Sequence, residues 1–117
     1  MTEPTTESLT KSKCLPCEGG VEPLDATGAE TFLKATPKWE IIDDGKMISR
    51  KVICKHFKEA MQLLNNAGEV AEAENHHPDF HLTSYRNVQI DLSTHAIGGL
   101  SENDFIVAAK IDQVINR

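Results

Sequence analysis

The fold turns on the stretch FHLTSYRNVQIDLS, residues 80–93. Phe80 and Leu82 share one parity, opposed by His81, Thr83 and Tyr85. After the polar connection Ser84-Tyr85-Arg86-Asn87, the residues Val88, Ile90 and Leu92 alternate with Gln89, Asp91 and Ser93. Successive side chains of a strand point to opposite faces, so both runs describe strands with one apolar side, joined as a hairpin. The second run alternates cleanly, the mark of an antiparallel strand buried on one face only. His95 falls at the end of that strand, on its polar face.

Downstream, Gly98-Gly99 breaks the strand. Ser101 is placed to cap a helix, with Leu100 and Phe105 at the positions of a hydrophobic staple. Phe105, Ala108, Ile111 and Ile115 continue that helix's inner face. Upstream, Phe57, Ala60, Met61, Leu64, Ala67 and Ala71 recur at spacings of three and four and predict an amphipathic helix ending near Glu74, with Met61 in the core. Before it, Trp39 and Ile41 lead through the turn Asp43-Asp44-Gly45-Lys46 to the alternating Ile48, Arg50, Val52 and Cys54, a first hairpin. Thr27-x-x-Glu30 has capping-box spacing and predicts a short helix through Phe32 and Leu33, stopped by Pro37. The expected fold is α+β: a four-stranded antiparallel sheet with helices packed on one face, in the order α-β-β-α-β-β-α, over residues 24–117. Residues 1–23, rich in Thr, Ser, Pro and Gly, predict a flexible N-terminal arm.

The chain has 117 residues and a net charge of −6, enough for one domain. That charge argues against direct nucleic-acid binding and against binding to anionic membranes, both of which need clustered Lys and Arg. No apolar run reaches the roughly 18 residues of a membrane span, and the N-terminal stretch lacks the apolar segment of a secretory signal. A cytoplasmic or nuclear location is expected. Cys14-Leu-Pro-Cys17 has the spacing of zinc and redox sites, but no second such pair accompanies it.

His76-His77-Pro78 falls where the long helix hands over to a strand. Pro78 disfavours helical geometry at His77, so the helix stops there and the rings are free to project outward. If the hairpins pair, His95 arrives at the same rim of the sheet. Several imidazoles in one pocket suit proton transfer near neutrality. Surface or capping roles for each histidine, and a zinc site, remain the competing readings. Glu72, four residues before His76, shares its side of the helix and is placed either to orient an imidazole or to stand in solvent.

Glu72-x-x-x-His76-His77-Pro78, then Tyr85, His95 and Asp104, together with Ser93-Thr94-His95 and Gly99-Leu100-Ser101, resembles the signature of the pterin-4a-carbinolamine dehydratases. The resemblance spans residues 24–117. It implies loss of water from a 4a-hydroxytetrahydropterin to give the quinonoid dihydropterin, with no metal and no organic cofactor. It also implies a pterin pocket lined by His76, His77 and His95, with Glu72, Asn75, Pro78, Ser93 and Thr94 at or near it. Within that chemistry His95 is expected as acid toward the 4a oxygen, His76 as base at N5 and His77 as a holder of the ring; His76 and His95 could exchange roles. Homodimers or homotetramers are implied as well. So is a protein-binding alternative, since animal members also act as dimerisation cofactors of a transcription factor. The chain departs from the animal members in carrying Asn75 for an aspartate, Phe80 for a tryptophan and Asn103 for an arginine.

Overall fold

The computed structural model describes residues 3–15 and 22–115. Both hairpins form as their alternation dictates. Strands β1 (Glu40–Ile42) and β2 (Met47–Ile53) pair antiparallel, as do β3 (Asp79–Thr83) and β4 (Asn87–Leu92). β2 joins β4 with Ile48 opposite Leu92, Arg50 opposite Ile90 and Val52 opposite Val88, giving the order β1-β2-β4-β3. Phe80 and Leu82 pair with Ile90 and Val88, so one sheet face carries the apolar residues. Ile48, Val88, Ile90 and Leu92 are buried there, while Lys51, Ile53, Thr83 and Asn87 on the other face are exposed.

Each hairpin turn bends through consecutive left-handed residues, the backbone that matches strand twist. In the first, Asp43, Asp44 and Gly45 have φ of 54, 55 and 84°; in the second, Ser84 and Tyr85 have 47 and 56°. Gly45 adopts this backbone at no steric cost, and the two aspartates before it share that conformation.

Among the described residues four α-helices accompany the sheet: α1 (Thr6–Lys11), α2 (Ala26–Leu33), α3 (Phe57–Glu74) and α4 (Glu102–Ile115). α4 is buried on most of its circumference because α1, α2 and α3 all pack on it. The Phe32 and Phe105 rings stack at 5.3 Å and fasten α2 to it. Asp112 of α4 accepts hydrogen bonds from the Trp39 indole, at 2.9 Å, and from the Arg50 guanidinium of β2. Arg50 and Trp39 are buried, so this carboxylate ties α4 to the sheet inside the protein.

Four expectations are corrected. Residues 1–23 were expected to be a flexible arm, yet α1 forms within them. Thr5 caps it, with its side chain accepting from the Ser8 amide, and Leu9 is buried against the core. The chain therefore gains a helix before the predicted α-β-β-α-β-β-α order. The cap of α2 is Asp25, whose carboxylate accepts from the Gly28 amide at 2.7 Å; Thr27 is inside the helix. On α3 the buried face is Ala60, Leu63, Ala67 and Ala71, whereas Phe57 and Met61 point outward at 53% and 39% exposure. Finally, β4 stops at Leu92, so His95 is not on the strand.

Among the described residues no helix is long and apolar enough to cross a membrane.

Candidate active site

α3 ends because Asn75 adopts a left-handed conformation, φ 53°, the backbone a helix C-cap requires. The Asn75 and His76 amides both donate to the Ala71 carbonyl, satisfying the end of the helix. The chain then leaves extended through Pro78 into β3. This exit turns His76 inward, toward the start of α4, and leaves His77 exposed.

His76 Nε2 is 2.6 Å from Asp104 Oδ1. Asp104 is fully buried and is the third residue of α4. Its second oxygen accepts from the Thr94 hydroxyl at 2.8 Å and from the Ser101 backbone amide at 2.9 Å. Thr94 has thus committed its proton to the carboxylate. The Ser101 hydroxyl, 2.7 Å away, therefore donates to Thr94. An ionised carboxylate is acceptor-only, so His76 presents Nε2–H to Asp104 and keeps the lone pair of Nδ1. Asp104 both caps α4 and fixes the tautomer of His76.

Between β4 and α4 the chain closes a small loop. Thr94 and Gly99 exchange backbone hydrogen bonds, and a 3₁₀ turn, His95–Ile97, fills the space between them. Gly98, at φ 68°, turns the chain back. Gly99 packs so closely on Pro23 that a Cβ there would lie 2.8 Å from the proline Cβ. The loop holds His95 out from the end of the sheet.

These elements enclose a cleft of about 480 Å³, lined by Asn75, His76, His77, Ser93, Thr94, His95 and Ala96 together with Cys14, Leu15, Glu74 and Asn103. That size suits a small organic ligand. All three histidines singled out in the sequence reach this cleft, as do Asn75, Ser93 and Thr94. Glu72 and Pro78 do not line it. Glu72 instead meets His77, with its carboxylate 2.8 Å from Nε2 on the exposed side.

Asp104, Cys14, Leu15, Glu74 and Asn103 were missing from the residues assigned to the site. Asp104 stood in the family signature, and its spacing from Ser101 is that of a capping box, a local signal sufficient to place it. Cys14 meets Glu74 and Asn103 across separations of 60 and 89 residues, which no local pattern reports.

Burial pushes the Cys14 thiol up to about 12, helped by the neighbouring charge of Glu74. A redox-active or metal-binding cysteine needs the opposite shift, toward thiolate. Cys17 lies outside the described residues. Among those described, no three His, Cys, Asp or Glu side chains are arranged to hold a metal ion. Burial also pushes the Glu74 carboxyl up, but the Lys110 ammonium and the Cys14 amide outweigh it, and the group sits below the usual carboxylate range.

A small α+β domain with a four-stranded antiparallel sheet and a histidine-lined cleft at one rim is the architecture of a class of dehydratases. The chain belongs to the pterin 4 alpha carbinolamine dehydratase family, whose model matches residues 22–114. A protein of Halorhodospira halophila named for this dehydratase is 47% identical over 90% of this chain and 95% of its own length. The Arabidopsis thaliana protein "Pterin-4-alpha-carbinolamine dehydratase 2, mitochondrial" is 37% identical over 91% of this chain and 58% of its own. A crystal structure of a Brucella melitensis protein, described as a transcriptional coactivator/pterin dehydratase, superposes with a TM-score of 0.73. It is 28% identical, and the match covers 80% of this chain and 98% of that one.

Proposed function

We propose that the cleft binds a 4a-hydroxytetrahydropterin and that His76 and His95 carry out its dehydration. The family gives the reaction class, a hydro-lyase step. The observation that carries the site assignment is the shared cleft of three imidazoles, one of them fixed by a buried carboxylate.

The step needs one proton removed and one supplied. The N5–H bond breaks and its electron pair forms the C4a=N5 double bond. The C4a–O bond breaks, and the oxygen leaves as water once protonated. Nothing is oxidised or reduced. His76 has its Nδ1 lone pair free of the Asp104 contact and acts as base at N5. His95, displayed on its own tight loop, acts as acid toward the 4a oxygen. His77, braced by Glu72, holds the ring, with Asn75, Ser93 and Thr94 as neighbouring polar contacts. The reaction uses no metal or organic cofactor, and a dissolved pterin substrate agrees with a cytoplasmic enzyme.

The test is stopped-flow dehydration of a freshly made 4a-carbinolamine, with the uncatalysed rate subtracted. Acceleration by the wild-type chain is expected; a rate equal to the uncatalysed one rejects the function.

Self-association is part of this reading. β1 and β3 are edge strands with open hydrogen-bonding sides, and Ile53 is exposed on the uncovered sheet face. A dimer or a dimer of dimers is expected; a monomer mass in sedimentation equilibrium at micromolar protein rejects it. The description of the Brucella relative, with the outward Phe57 and Met61 on α3, supports protein binding as a second reading. Such binding would survive His95→Ala, because these residues are not among those lining the cleft.

A further inference from the structure

We propose that Leu15 is a substrate-binding residue, held over the cleft by a strap of N-terminal chain that is tied to both supports of the His76–Asp104 pair. This rests on the pterin-dehydratase reading of the cleft.

The strap is anchored at both ends. At its start, α1 buries Leu9, and the Thr6 hydroxyl donates to the Ala35 carbonyl at 2.6 Å. At its end, the Cys14 amide donates to Glu74 Oε1 at 2.9 Å, and the Leu15 amide donates to Asn103 Oδ1 at 3.0 Å. The Asn103 side-chain amide in turn donates to the Leu15 carbonyl, so one side chain grips both backbone groups of a single residue. Glu74 is held from behind by Lys110, 2.7 Å away. A partly buried ion pair and a two-point amide grip fix a backbone more firmly than a surface loop is usually fixed.

The location of these anchors gives the grip its meaning. Glu74 is the last residue of α3, two before His76, and Asn103 immediately precedes Asp104. The strap is therefore registered to the two elements that present the base and its carboxylate. With its backbone held in this way, Leu15 still leaves 74% of its surface exposed while lining the cleft with the histidines. The described cleft walls are otherwise mostly polar. The pyrimidine ring of a pterin directs its hydrogen-bonding groups in plane and leaves its π-face without them, and a fixed leucine is suited to cover that face and shield the reacting centre from water.

The variants Leu15→Ala, Leu15→Met and Asn103→Ala are to be compared with the wild-type chain in carbinolamine dehydration and in fluorescence titration with 7,8-dihydrobiopterin, a pterin that does not react. Losing the leucine's contact area is expected to raise KM and the titrated Kd about three- to tenfold, with a smaller change in kcat. Leu15→Met should restore most of the affinity, and Asn103→Ala should weaken binding in the same direction as Leu15→Ala. Leu15 is exposed, so its removal should leave Tm unchanged, whereas a purely structural role would move Tm and not Kd. An active wild type with unaltered KM and Kd in Leu15→Ala overturns this assignment and leaves the dehydratase function standing. A wild type that neither dehydrates the carbinolamine nor binds the pterin overturns both.

Discussion

His76→Ala is expected to slow dehydration of the carbinolamine by about 10²–10⁴-fold, the usual contribution of one positioned general acid or base. That corresponds to about 3–5 kcal/mol of barrier. Most of the loss should fall on kcat, because the imidazole contributes where the proton moves. Free imidazole in the assay should recover part of the rate, since the alanine leaves a ring-sized gap beside Asp104. Some stability will be lost as well. Asp104 is fully buried, and His76 is one of its three donors. Leaving one oxygen without its donor costs about 1–3 kcal/mol unless water takes the place. The Thr94 and Ser101 donors remain, so the variant should fold. A His76→Ala protein that dehydrates the carbinolamine at the wild-type rate would remove the base from the mechanism.

Asp112→Ala should give the largest loss of stability. It removes the carboxylate that both Arg50 and Trp39 use, and it leaves a guanidinium buried between sheet and helix. Removing one partner of a buried pair typically costs about 3–5 kcal/mol. In a chain this size Tm should fall by about 10–20 °C. Burial pushes the Asp112 carboxyl above the usual range, with the Trp39 and Arg50 hydrogen bonds only partly opposing it. The pair therefore costs desolvation and is retained because neither half can be left alone. Replacing both members with apolar residues, Arg50→Met with Asp112→Leu, should recover most of the loss. A drop below about 3 °C in Asp112→Ala would mean that the guanidinium reaches water. Since Asp112 is remote from the cleft lining, folded protein should keep its kcat.

The sheet was legible because two-residue alternation is a strong code. Val88, Ile90 and Leu92 could face only one way, whereas the pairing of β2 with β4 and its register were not read from the sequence. The face of α3 was misjudged for a physical reason. The stripe was traced through Phe57 and Met61, the bulkier side chains, but α3 meets its neighbours through Ala60, Ala67 and Ala71, whose small size permits close helix approach. α1 was missed because a single leucine in a six-residue polar segment carries no periodicity; the Thr5 cap and docking on α4 support it. The histidines could be singled out from chemistry and from the family signature. Their convergence could not be read from spacing, because it depends on the left-handed Asn75 and on the loop closed by Thr94 and Gly99. The Cys14–Leu15 wall was invisible for the same reason that long-range contacts generally are.

Asp104 answers to two masters, since one oxygen steadies an imidazole while the other opens a helix. A descendant of this chain could discard the ring at a modest cost in stability, whereas losing the acid would also loosen the N-terminus of α4. Retention of this aspartate in a sequence is therefore a sign of fold; under the proposed mechanism, the histidine opposite it is the sign of catalysis.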